Sequence, residues 1–129
     1  MAKSRTIRLS GPGTYEMKVV GTSRHQDYLS KLCGGLTEEG HQLQVEAILV
    51  HENDNPYDAN AVRIEIQRKP VGYLPRELAA MFRKQLAADG YPGARATVDA
   101  QIVGGWQRPG QEPGSFGIRL DIGFQSGSE

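Results

Sequence analysis

Cysteine is all but missing. Cys33 stands alone, so no disulfide can form within the chain, and a lone thiol fits a reducing compartment. Long apolar runs are missing too. None approaches the ~20 residues of a membrane span, and Met1-Ala2-Lys3 leads into no signal-peptide core. The expectation is a cytoplasmic chain with no membrane partner. Net charge is absent as well, because fifteen basic and fifteen acidic residues cancel. No overall field draws the molecule onto nucleic acid, so any such contact must come from a local patch and a shaped site. His25, His41 and His51 show none of the H-x-x-x-H or C-x-x-C spacing of a zinc site. No glycine-rich loop ends in Lys-Ser or Lys-Thr, which removes the nucleotide-hydrolysis motif. Glu52, Asp54 and Asp58 do cluster, which leaves a metal-dependent nuclease as a minor alternative. A polar turn bonded to its own backbone accounts for the same residues. The chain is expected to be non-enzymatic and to use no cofactor.

What is present is one domain's worth of amphipathic strands in 129 residues. Residues 1–13 read as a flexible basic arm (Lys3, Arg5, Arg8) ending in Gly11-Pro12-Gly13. Tyr15–Val20 reads as a first strand stopped by Gly21, and Asp27–Cys33 as a short helix ended by Gly34-Gly35. Gln42–His51 is the longest strand, and its Ile48-Leu49-Val50 half is apolar on both sides, which implies cover on both faces. Ala61–Gln67 and Pro70–Leu74 form a hairpin turning at Arg68-Lys69. Pro75–Asp89 is the main helix, with Leu78, Met81, Phe82 and Leu86 on one face. Arg76 and Arg83 lie on the other, and Arg83, Lys84 and Lys69 read as solvated. Residues 95–102 and 116–122 alternate as two antiparallel strands, and 125–129 read as a disordered tail. The fold class is mainly β with two helices, a small, partly open barrel of about six strands.

Two segments carry the most information. Asn55-Pro56-Tyr57-Asp58 followed by Asn60-Ala61-Val62 is a rigid turn that delivers a ring and a carboxylate at the mouth of a strand. Val71-Gly72-Tyr73-Leu74-Pro75 sets a second tyrosine beside a glycine, where a strand bulges or another segment approaches closely. Together with Val19-Val20-Gly21 and Arg76-Glu77-Leu78-Ala79, these resemble the HIRAN domain. That module is found at the front of helicase-like chromatin and repair translocases and also alone in bacteria. The resemblance covers about Tyr15 to Ile122 and implies a modified OB-like barrel over 14–124.

It also implies a function. In HIRAN domains the Asn-Pro-Tyr-Asp turn helps capture the 3′ end of single-stranded DNA. By that likeness Asp58 accepts a bond from the terminal 3′-hydroxyl and Tyr57 packs on the terminal nucleotide. An ionised carboxylate is acceptor-only, so it suits a hydroxyl and repels a phosphate. The residues alone leave a second reading, with Tyr57 a core ring and Asp58 a turn cap. Arg24 matches an arginine that the family follows with two base-stacking aromatics, but here His25-Gln26 follows. His25 can still stack, Gln26 cannot, and Tyr28 reads as core. Tyr73 and Arg76 match the opposite wall, where Arg76 opens a helix and adds its N-terminus to an anion site. Trp106 is either an exposed stacking ring or a lid. The expected function is binding of single-stranded DNA at free 3′-hydroxyl ends in repair or replication-fork processing, with a separate helicase or nuclease as candidate partner. The alternative is a protein-interaction or regulatory module using the same face.

Overall fold

The computed structural model describes residues 6–122. These form seven strands and two α-helices: β1 (Thr6–Arg8), β2 (Met17–Lys18), a 3₁₀ turn (Thr22–His25), α1 (Gln26–Cys33), β3 (His41–His51), β4 (Val62–Ile66), β5 (Lys69–Tyr73), α2 (Arg76–Ala88), β6 (Arg95–Gly104) and β7 (Phe116–Leu120). The sheet runs β2-β7-β6-β3-β4-β5, with β1 added parallel to β6 and every other strand pair antiparallel. Its two ends meet. Val20, just past β2, and Tyr73 of β5 exchange backbone hydrogen bonds of 2.9 and 2.8 Å. The sheet thus curls onto itself as a small OB-like barrel of mainly β class with two helices.

Alternation decides which side chains fill the barrel. Val62, Ile64 and Ile66 of β4, Ala96, Val98, Ala100 and Ile102 of β6, and Phe116, Ile118 and Leu120 of β7 are all buried. The intervening residues face outward. Leu29 of α1 and Ala79, Phe82 and Leu86 of α2 complete this core, each large side chain worth about 1.5–3 kcal/mol of burial. β3 explains its own composition. Up to Ala47 it pairs with β6 alone, whereas from Ile48 it also gains β4 as a neighbour. Leu49 and Val50, in that second half, are buried.

Four expectations change. The basic arm is part of the barrel as far as it is described. Thr6–Arg8 pairs with Arg95–Thr97, Leu9 donates to the Thr97 carbonyl at 2.9 Å, and Arg8 bridges Glu46 and Asp99 at 3.0 and 2.6 Å. Asp121, an outward position by alternation, is instead buried and accepts the Gly13 N–H at 2.7 Å, which ties the end of the arm to the end of β7. Residues 1–5 and the 125–129 tail lie outside the described residues. The strand expected over Tyr15–Val20 is regular only at Met17–Lys18, because Tyr15 takes a positive φ of 52°. The hairpin turns at Gln67 and Arg68, with φ 52° and 69°, one residue earlier than expected. Two positive φ angles in succession match the strand twist, although neither residue is a glycine or asparagine.

Candidate nucleic-acid interface

The loop between β3 and β4 is held by its own side chains. The Asn55 Oδ1 accepts the N–H groups of Tyr57 at 2.8 Å and Asp58 at 3.1 Å. Asp58 Oδ1 in turn accepts the N–H of Asn60 at 2.9 Å. These nested side-chain turns, with Pro56 between them, fix the backbone without using any ring. The Tyr57 ring is therefore free to point outward, and the residue is 84 % exposed. The core-ring reading of Tyr57 is excluded. Asp58 does cap its turn, but through one oxygen. The other lies 3.8 Å from Arg76 Nε, and the Arg76 Nη2 donates to the Tyr57 carbonyl.

The opposite wall depends on Gly72. A Cβ there would meet Val19 Cγ1 at 2.5 Å and the Val20 carbonyl oxygen at 2.6 Å, so only glycine lets Val19-Val20 lie across β5. Gly21 then turns the chain with a left-handed φ of 79°, and a Cβ on it would touch the Tyr73 ring at 3.9 Å. The 3₁₀ turn carrying Arg24 and His25 thus starts against Tyr73. Arg24 is exposed, and no hydrogen bond or ion pair engages its guanidinium among the described residues. Residues Ser23 to Tyr28 line an open hollow of about 310 Å³. Gln26 braces the fold instead of facing that hollow with a ring. Its amide bonds to the carbonyls of Thr22 and Phe116 and to the Phe116 N–H, at 2.9, 3.0 and 2.8 Å. Tyr28 packs against the core and donates to the Ile66 carbonyl at 2.8 Å.

Between the walls sits Glu52. It accepts from Arg63 Nη1 at 2.8 Å, the Tyr73 hydroxyl at 2.8 Å and Asn55 Nδ2 at 2.9 Å. Burial alone pushes its carboxyl up, but these bonds outweigh it and hold the group below the ordinary carboxylate value. Burial, then the bond to Glu52, pushes the Tyr73 phenol up. With both oxygens of Glu52 so engaged, Glu52, Asp54 and Asp58 do not converge. Among the described residues no three His, Cys, Asp or Glu side chains are grouped to hold a metal. Arg83 is not a solvated charge. It donates to Asn53 Oδ1 and to the Ala61 carbonyl, both at 2.7 Å, and fastens α2 to the loop. Trp106 is half-buried, packed against Gly114 and under the Arg108 guanidinium at 4.7 Å; it acts as a lid on its own loop.

The family profile of the HIRAN domain matches residues 12–99. The chain belongs to the HIRAN domain family. This match takes in the whole loop, both walls and the 3₁₀ turn, and ends inside β6, so β7 completes the HIRAN barrel from beyond it. HIRAN domains form a DNA-binding family, which supports nucleic-acid binding by this chain. No curated protein and no solved structure matches it. No helix among the described residues is long and apolar enough to cross a membrane.

Proposed function

We propose that this HIRAN domain binds single-stranded DNA at a free 3′-hydroxyl end, as a non-enzymatic grip in repair or replication-fork processing within the cytoplasm. The observation that carries the reading is Tyr57: a ring 84 % exposed on a turn whose backbone is locked by Asn55. An exposed ring on a fixed stretch of backbone next to a carboxylate offers a terminal nucleotide a stacking surface and an acceptor for its last hydroxyl. Stacking of a base on an aromatic ring is worth about 1–3 kcal/mol. Asp58 supplies the acceptor through the oxygen not used by Asn60. Tyr73 forms the second wall. Arg24, whose guanidinium is unengaged among the described residues, takes a backbone phosphate, and His25 stacks beside it. Arg76 keeps outward donors for a phosphate while it holds Tyr57, and Pro75, just before α2, supplies no side-chain cap, which leaves first-turn N–H groups for an anion. A separate helicase or nuclease would supply any motor or chemistry.

The competing reading, in which this face holds a protein segment, draws on Gln26. That residue is spent on Phe116 where the family resemblance places a second stacking ring. A titration with fluorescent oligonucleotides ending in 3′-hydroxyl or 3′-phosphate separates the two. A charge-assisted bond worth about 1.5–3 kcal/mol corresponds to a hydroxyl preference of about tenfold or more. Arg76, 3.8 Å from Asp58, tempers the repulsion of a phosphate, so the preference is set by the hydroxyl bond. Asp58→Asn should cut that preference by about tenfold through weaker binding of the 3′-hydroxyl end, with binding of the 3′-phosphate end little changed. Equal binding of both ends by the unaltered protein, or an unchanged preference in Asp58→Asn, refutes the 3′-end reading.

A further inference from the structure

Of the residues proposed to touch DNA, Tyr57, Asp58 and Tyr73 stand on two separate pieces of chain, the Asn55–Asp58 turn and the end of β5. One side chain is bonded to both. Glu52 takes the Tyr73 hydroxyl on one side and the Asn55 amide on the other, at 2.8 and 2.9 Å on the same oxygen. Asn55 passes the constraint on, because its carbonyl holds the N–H groups of Tyr57 and Asp58. That use of the carbonyl forces the Asn55 NH₂ toward Glu52. Arg63, which has no acceptor to offer, fills the remaining oxygen at 2.8 Å. All three neighbours therefore present donors, and only an acceptor-only group satisfies them together.

We propose that Glu52 is a positioning residue of this site, setting the turn that carries Tyr57 and Asp58 at a fixed distance from the Tyr73 wall. The inference rests on the reading of that site as a 3′-end grip and adds a residue that touches no nucleotide itself. A glutamine at this position has the same size but one acceptor and one NH₂; with its oxygen kept on the Arg63 cation, the stronger partner, the NH₂ meets the Asn55 NH₂, donor against donor. The turn then loses its anchor while the barrel keeps its core.

The test compares the full chain with Glu52→Gln, using short oligothymidylates ending in 3′-hydroxyl or 3′-phosphate and a circular single strand, which has no end. Glu52→Gln should lower the hydroxyl preference about tenfold, with binding of the circle changed by less than about twofold. It should also speed hydrogen exchange of the Tyr57 and Asp58 amides and leave those of β4 and β6 protected. A merely structural role would lower the melting temperature with both of these readouts unmoved in the folded protein. A folded Glu52→Gln with the original preference and original amide protection overturns the inference. Should Glu52→Gln fail to fold, Tyr73→Phe removes one donor and keeps the ring. A preference reduced about threefold then supports the inference, and an unchanged preference overturns it. If the unaltered protein shows no hydroxyl preference, the functional reading fails first and the inference falls with it. A discriminating protein with indifferent variants sinks the inference alone.

Discussion

Replacing Tyr57 with alanine separates binding from folding more cleanly than any other change at this site. The residue is 84 % exposed, and the turn beneath it is held by bonds to its backbone N–H and carbonyl, which alanine retains. Surface substitutions of this kind stay within about 0.5 kcal/mol of the starting stability. The loss in binding is set by a different quantity, the stacking of one base, about 1–3 kcal/mol. That converts to a rise in Kd of roughly fivefold to 150-fold. Tyr73→Ala supplies the contrast. Its ring is half-buried and its hydroxyl is bonded to Glu52, so its removal should cost about 2 kcal/mol or more in stability together with affinity. Fluorescence anisotropy with a 3′-hydroxyl oligonucleotide and thermal unfolding, measured on the same preparations, give both numbers. Binding by Tyr57→Ala within about twofold of the unaltered protein would mean the ring stacks on nothing. A fall of more than about 4 °C in Tm would mean that it supports the fold. Either result refutes the reasoning.

Gly72→Ala should destabilise the protein by about 1–3 kcal/mol, because its Cβ would press on Val19 and on the Val20 carbonyl where the barrel closes; an unchanged urea midpoint at constant m would count against that closure. Acid should weaken the fold in two windows. Burial, then Arg83, holds the His51 imidazole below its ordinary 6.5, so the folded state favours the neutral ring and stability declines as pH falls from 6.5 toward the folded value. Glu52, held below its ordinary 4.5, favours the carboxylate, and its contribution is lost as pH falls below 4.5. Urea unfolding from about pH 7.5 to about pH 3.5 should show both declines, with the lower one flattened in Glu52→Gln. A flat profile in the unaltered protein contradicts both assignments.

The parts of the fold that were legible are those where one local signal decides. Gly34 and Gly90 mark helix ends, the alternation in β4, β6 and β7 marks the inward face, and Pro75 marks the start of α2. What escaped depends on partners far along the chain. β1 exists because β6 offers it an edge about ninety residues on. Asp121 is buried because the Gly11–Gly13 turn folds over it. Arg83 reads as solvated on its helix because its acceptors, Asn53 and Ala61, belong to a loop before the hairpin. The Tyr57 and Asp58 geometry, by contrast, followed from Asn55-Pro56, since the constraint is built from adjacent residues.

The role of Glu52 was hidden by a single-residue shift. From the turn at Gln67-Arg68, Ile66 pairs with Lys69 and Glu65 with Pro70. A regular hairpin continuing from there would set Tyr73 opposite Val62, on the face that fills the barrel. Instead the register slips between Ile64 and Glu65, so that Ile64 faces Gly72 and Arg63 faces Tyr73. Val71 and Gly72 are both buried in succession, which is the mark of the extra residue. A slip of one residue moves every later side chain to the other face. That slip turns Tyr73 outward beside Arg63 and within 2.8 Å of Glu52, and the glycine next to it admits Val19-Val20 to close the barrel. Glycine at 72 signalled the bulge or close approach in advance, and here it serves both. Neither signal says which side chain changes face, because that depends on counting from a turn whose two residues carry none of the usual glycine or asparagine. Placing the turn one residue late pairs Tyr73 with a different partner, and the carboxylate that joins the two walls then reads as one acidic residue in a polar loop.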